Sequence, residues 1–217
     1  MSSTRDGSGN VIILDYGAGN LRSVVRAVER VGHAPIVADD PSALQGAAAV
    51  ILPGVGAAAD TMANLNQRGL AEPVKQYIAR GRPFLGVCMG LQALMTVSEE
   101  GGEHPCLDVV PGRVVRLQAG PTIPHMGWNA VHPRRPSSLF EGIPDGSHFY
   151  FVHSYHCVPD DPDAVLAPAA YDEPIVAVVE RGSIVATQFH PEKSGANGLR
   201  IYRNFLRGAL CAGPAAG

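Results

Sequence analysis

Residues 83–92 read Pro-Phe-Leu-Gly-Val-Cys-Met-Gly-Leu-Gln. An apolar run, Phe84–Val87, ends in a cysteine held between Gly86 and Gly90, where strand gives way to helix. A sharp strand-to-helix turn needs residues without bulk on either side of the side chain it lifts, as in G-x-S-x-G elbows atop α/β sheets. Gly-Val-Cys-Met-Gly has that form, with sulfur in place of oxygen. At the start of the following helix, the dipole and free N–H groups favour a thiolate and can hold an oxyanion. The competing reading is a structural cysteine among closely packed glycines. With 25 glycines in 217 residues, the motif alone does not decide between them, so the catalytic reading needs a base.

On the amino side of this stretch, strands and helices alternate. Val11–Tyr16 is a short β-branched run of the kind buried on both faces. Leu21, Val24, Val25, Val28 and Val31 recur at helical spacing, with Asn20 as N-cap and Gly32 as stop. Two further strands are predicted over 34–39 and 48–54, then helices between Ala57 and Arg80, broken near Gly69 and closed by Gly81. Strands separated by helices predict a mostly parallel sheet with right-handed crossovers. On the carboxyl side, 109–117, 148–157 and 174–190 read as strands, the last with a turn at Arg181–Ser183, and Leu199, Tyr202, Phe205, Leu206 and Leu210 predict a final helix. The expected fold is α/β: one three-layer domain over 10–210, a mostly parallel central sheet flanked by helices, with added antiparallel strands in the carboxyl half. A polar leader over 1–9 is expected to be disordered, and the small-residue end, 211–217, to fray.

Eight histidines compete to be the base. His190 is best placed, because it ends the run Ile184–Phe189 and is followed by Pro191-Glu192. A carboxylate two residues on can orient the ring and favour its protonated form. Cys88, His190 and Glu192 then form a triad in which each member positions the next. His153 and His156 are the rivals, read instead as a wall of the site. The third piece is Leu52-Pro-Gly-Val-Gly56, whose glycines free the backbone to turn N–H groups toward a ligand. The carboxyl ends of adjacent parallel strands share one edge, so this loop and the elbow face one crevice. The residues alone lead to a cysteine hydrolase working by acyl transfer.

Composition narrows the class. With 46% hydrophobic and 17% charged residues the chain is of soluble globular type, and a net charge of −3 leaves no basic footprint for nucleic acid. No apolar run is long enough to span a bilayer and the start lacks a secretion signal, so a cytoplasmic location is expected. Cys106, Cys157 and Cys211 are widely spaced, without a CxxC pair, and are read as free thiols; no metal or cofactor is expected.

The Pro83–Gln92 stretch together with His190-Pro-Glu192 resembles the class I glutamine amidotransferases. Within them, Asp15–Val24, Leu52–Gly56, Ile123–Asn129, Tyr150–His156 and Gln188–Ser194 are similar to the glutaminase subunits of imidazole glycerol phosphate synthases, from histidine biosynthesis. The likeness runs from about residue 10 to 210. It implies that Cys88 attacks the side-chain amide of glutamine, that His190 shuttles the proton, and that Glu192 orients it. It implies an oxyanion hole from the N–H of Met89 and one among Gly54, Val55 and Gly56. Gly86, Gln92, His153, Ser154 and Tyr155 would hold the glutamine. Ammonia would pass to a (β/α)8-barrel synthase subunit in a heterodimer, with Asn20, Pro124, His125, Met126, Gly127, Trp128 and Lys193 toward that partner. The rivals are the glutaminase of another synthetase (anthranilate or purine pathway), a γ-glutamyl hydrolase, and a non-catalytic binding subunit with a vestigial elbow. The Asp15–Asn20 and Pro124–Asn129 segments argue against the first, and an intact Cys, His and Glu set against the last.

Overall fold

The computed structural model describes residues 9–211. Apart from Gly9 and Cys211, the expected leader and tail lie outside the described residues. The amino half runs β1 (Asn10–Leu14), α1 (Leu21–Arg30), β2 (Ile36–Ala38), β3 (Ala47–Gly54), α2 (Ala58–Gln67), α3 (Ala71–Ala79), β4 (Phe84–Cys88) and the one-turn α4 (Met89–Gln92). The carboxyl half is β5 (Val97–Ser98), β6 (His104–Pro105), β7 (Gly112–Arg116), β8 (His125–Ala130), β9 (His148–His153), β10 (Tyr155–Pro159), β11 (Val165–Ala170), β12 (Pro174–Arg181), β13 (Ile184–Thr187) and α5 (Gly195–Cys211). As the sequence predicts, Asn20 caps α1, its side chain accepting from the Ser23 amide at 3.4 Å.

The central sheet has seven strands in the order β11-β12-β13-β4-β3-β1-β2. The pairs β1–β2, β1–β3, β3–β4 and β4–β13 are parallel, while β11–β12 and β12–β13 are antiparallel. Strands β1, β3 and β4 are buried along almost their whole length, which is why they read as continuous apolar runs rather than alternating ones. One face packs Val24 and Val28 of α1 with Ile201, Tyr202, Phe205 and Leu206 of α5. The other packs Met62 and Leu65 of α2 with Val74, Tyr77 and Ile78 of α3. The mixed sheet between two helical layers is the expected architecture.

Two smaller sheets depart from the linear reading. The run 148–157 is two strands, not one: β9 pairs with β8 as a two-stranded ribbon, and β10 joins a second sheet ordered β10-β7-β5-β6. The break falls at Ser154, whose carbonyl accepts from the Leu117 amide at 2.9 Å.

Candidate active site

The amino-acid chemistry of the site collects where β3, β4 and β13 end. These strands run parallel, and Gly54 of β3 lies opposite Cys88 of β4, while Thr187 of β13 lies opposite Val87. Their next residues therefore emerge on one edge, as ligand-binding loops do in such sheets. Cys88 sits in the turn with φ 55° and ψ −106°, a conformation that non-glycine residues avoid. The flanking glycines are needed because the backbones touch. A Cβ on Gly86 would lie 2.7 Å from the Gly90 carbonyl oxygen, and one on Gly90 would collide with the Leu52 carbonyl oxygen. The turn folds α4 directly back onto β3 and β4, and only glycine fits at either contact.

His190 is held from both sides. Its amide donates to the Tyr150 carbonyl at 2.9 Å, and its own carbonyl accepts from the Ser194 hydroxyl at 2.7 Å. The Tyr150 amide in turn donates to the Ser194 oxygen at 3.0 Å. The ring's Nδ1 lies 2.8 Å from Glu192 Oε1, with the two side chains only 3% and 2% exposed. The phenol of Tyr202, from α5, donates to the other carboxylate oxygen at 3.4 Å. Nε2 is left buried without a hydrogen-bond partner, free for chemistry at Cys88. Burial by itself would lower the imidazole pKa, but the neighbouring Cys88 sulfur and the Glu192 carboxylate outweigh it and lift the value to about 9. The protonated ring is thus the favoured form at neutral pH.

Cys88, His190 and Gln92 share a cavity of about 290 Å³ whose walls include Val55, Gly56, Met89, Glu100, His153, Ser154, Tyr155 and Lys193. Its size suits one amino acid. A larger open hollow of about 560 Å³, between Lys75, Asp108 and Arg181, lies at the opposite edge of the sheet and holds no nucleophile with a base. Among the described residues, no group of His, Cys, Asp and Glu is placed to hold a metal ion, and no helix is long and apolar enough to cross a membrane.

Several sequence-predicted residues lie elsewhere than expected. Gly54 and Gly86 do not line the cavity. Gly54 is wedged against Met89 and Tyr16, where a Cβ would meet each at 2.6 Å, and Gly86 lies behind α4. Both sit where backbone segments of the elbow and its neighbours pack closely. His125 is 2% exposed, and its ring packs inward against Phe151 and Tyr171. It follows Pro124, in a cis Ile123–Pro124 bond, and starts β8. Strand alternation sends Met126 and Trp128 outward, at 60% and 56% exposure, past the intervening Gly127. Asn20 is exposed, and Lys193 lines the cavity with its ammonium 5.9 Å from the Tyr150 ring.

The inward His125 belongs to a chain of bonds whose tautomers the geometry fixes. His153 Nδ1 lies 2.8 Å from the Tyr155 carbonyl, which only accepts, so Nδ1 carries the proton and Nε2 accepts. That Nε2 is 3.0 Å from His125 Nδ1, which therefore donates, and His125 Nε2 accepts from Asn129 at 3.4 Å. Both rings are neutral. Burial holds their pKa values down, at about 4 for His125 and about 3 for His153.

Sequence reasoning missed Glu100 and Gln188. Glu100 looks like part of an acidic turn, Ser98-Glu-Glu-Gly-Gly102; folded, its Oε2 accepts from the Ala58 amide at 2.8 Å and its carboxylate lines the cavity. Gln188 opens the Gln188–Ser194 motif, but nothing in that motif assigns it a role, and only its position beside Cys88 does.

Residues 12–209 match the family profile described as glutamine amidotransferase class-I. The chain is 50% identical over 195 residues, covering 90% of it and 93% of the relative, to the imidazole glycerol phosphate synthase subunit HisH of Moorella thermoacetica. It is 48% identical to the protein of the same name from Syntrophotalea carbinolica, over 90% of this chain and 98% of that one. Among solved structures, a putative GMP synthase component from Thermoplasma acidophilum superimposes with a TM-score of 0.72 at 22% identity, covering 96% of both chains. PurLQS from Thermotoga maritima also gives a TM-score of 0.72, at 18% identity, over 92% of this chain and 98% of that one, a likeness of fold.

Proposed function

The chain belongs to the class-I glutamine amidotransferase family, and from that membership we propose that Cys88, His190 and Glu192 are the triad that hydrolyses glutamine. The protein acts as the glutaminase subunit of an imidazole glycerol phosphate synthase, a reading supported by near full-length relatives of that name. The observation that carries the chemistry is the buried His190–Glu192 pair at 2.8 Å, with a free Nε2 beside a cysteine on an elbow.

The Cys88 sulfur attacks the side-chain carbonyl carbon of glutamine. His190, protonated at rest, gives its Nε2 proton to the departing amine, so ammonia leaves and a thioester remains. The now neutral ring takes a proton from water as it attacks the thioester; glutamate leaves, and the sulfur is expelled to pair again with imidazolium. Glu192 holds the ring through Nδ1 in both steps. The Met89 amide at the start of α4, with one from Val55 or Gly56, faces the developing oxyanion. Glu100 supplies a carboxylate for the α-ammonium, and Gln92 Oε1, buried and unpartnered, an acceptor.

The partner subunit receives the ammonia. A (β/α)8-barrel partner, in a lyase-type complex of the cytoplasm, docks on the surface that carries Met126 and Trp128. The test is Cys88→Ala in the complex: the glutamine-dependent reaction is lost while the reaction fed with free ammonia persists. Loss of both, or retention of both, refutes the assignment of Cys88.

A further inference from the structure

We propose that Gln188 is a positioning residue for the reaction, holding the Cys88 sulfur and the Gln92 amide in one hydrogen-bonded ladder. The inference rests on Cys88 being the nucleophile. Gln188 follows β13 and is wholly buried, and its backbone is anchored independently, its amide N–H donating a hydrogen bond to the Ala177 carbonyl at 2.9 Å. Its Nε2 lies 3.7 Å from Cys88 Sγ, and its Oε1 lies 3.1 Å from Gln92 Nε2.

One backbone atom fixes both amide orientations. The Tyr155 carbonyl oxygen, which can only accept, is 2.9 Å from the Gln92 amide, so that end of Gln92 is its NH2 group. The same NH2 faces Gln188, whose near atom must then be oxygen. The far atom, beside the sulfur, must be nitrogen. A carbonyl on the cavity wall thereby sets a donor on the nucleophile through two side chains. It also leaves Gln92 Oε1, rather than its NH2, as the unpartnered atom of that side chain. Flipping Gln92 would oppose its oxygen to the Tyr155 carbonyl and to Gln188 Oε1, two acceptors facing a third.

An N–H aimed at sulfur favours the thiolate over the thiol. It acts when the sulfur attacks and again when the thioester breaks and sulfur departs with its electron pair. Gln188 itself exchanges no proton and forms no bond. The other ionisable groups near enough to feel Cys88 are His190 from the same segment, Tyr16 after β1 and Cys157 on β10, and none is altered by changing Gln188.

The experiment uses the full chain with Gln188→Met, which keeps the volume and removes both amide functions, and Gln188→Glu, which keeps the acceptor for Gln92 but places an acid at the sulfur. Alkylation of Cys88 by iodoacetamide is followed against pH by mass spectrometry of its peptide. The midpoint moves to higher pH by about one unit in the Met variant and further in the Glu variant, the size expected for losing one hydrogen bond to a charged group. In the complex, kcat falls by about tenfold in both, while KM rises only with Met, since only there is Gln92 released. Unchanged midpoints with kcat within about twofold overturn the proposal. Should either variant fail to fold, the wild-type chain decides: the Gln188 side-chain NH2 resonances shift at the same midpoint as Cys88 alkylation, and lose that response in Cys88→Ser. Resonances indifferent to Cys88 overturn it. Retained glutaminase activity in Cys88→Ala would instead sink the nucleophile assignment, so the two failures are distinguishable.

Discussion

Lowering the pH from 8 to 5 should strip stability from this protein through two rings that the fold keeps neutral. His125 and His153 are 2% and 6% exposed, with pKa values near 4 and 3, against about 6.5 for histidine in an unfolded chain. Between those limits the unfolded state binds more protons than the folded one, so stability rises with pH. The contribution is complete above about 6.5 and is lost as pH falls toward the folded values. At pH 5 each ring has lost about 1.5 pH units of linkage, or about 2 kcal/mol, and the pair about 4 kcal/mol. That is a large part of a typical total of about 5–15 kcal/mol. The fixed tautomers explain why neither ring escapes by accepting a proton locally: each nitrogen is already committed as donor or acceptor. The assay is urea unfolding by far-ultraviolet circular dichroism at pH 8, 7, 6 and 5, for wild type and a His125→Gln, His153→Gln double variant. His156, held down first by burial, and Glu173, whose carboxylate accepts from the Ala119 amide, also titrate in acid, so the readout is the difference between the two proteins. Wild-type stability that falls no faster than that of the double variant from pH 7 to 5 would mean that the two rings are not held neutral by the fold.

Other perturbations have expected outcomes of their own. His190→Ala should lower kcat by about 10²–10⁴ through loss of the proton carrier, and Glu192→Gln by less, since a neutral acceptor can still face Nδ1; steady-state rates showing equal losses in folded variants would reject that order. Gly90→Ala, driving a methyl into the Leu52 carbonyl, should cost about 1–3 kcal/mol and lower the midpoint of thermal unfolding, a result absent if the elbow tolerates a side chain there. The isolated chain should hydrolyse glutamine slowly, and the partner loaded with its nucleotide ligand should speed it by about 10²–10³, the worth of one oxyanion donor, if the Val55–Gly56 loop rests with its N–H turned away. A free chain as fast as the liganded complex in a glutaminase assay would exclude that switch.

The elbow and the parallel core were legible because both rest on local chemistry. Gly86 and Gly90 mark a backbone approach that no other residue allows, and the buried strands β1, β3 and β4 need apolar side chains on both faces. What was not legible depended on partners distant in sequence. His148–Cys157 reads as one continuous strand-like run, and nothing within it records that β9 pairs with β8 while β10 pairs with β7. β11 hides behind Pro168 and a run of alanines. The inward face of His125 follows from which side of β8 is covered, a fact held by Phe151 and Tyr171, whose rings lie 4.8 and 3.9 Å from its own. Glu100 and Gln188 carry ordinary side chains, and only the convergence of loops on one edge of the sheet makes them part of a site.

The β8–β9 ribbon is a two-stranded sheet of its own, with one face exposed and the other packed on the core. Met126 and Trp128 stand on its outer side, with Trp128 edge-on to Tyr150 at 6.1 Å and Lys193 beyond it at the mouth of the cavity. The very next side chain inward is His125, bonded to the His153 that lines the same cavity. The exposed face of the ribbon and a residue that lines the cavity are thus joined through one chain neighbour and one hydrogen bond, Met126 to His125 and His125 to His153. That route from the surface to the cavity runs through β8 and β9 alone and includes no strand of the central sheet.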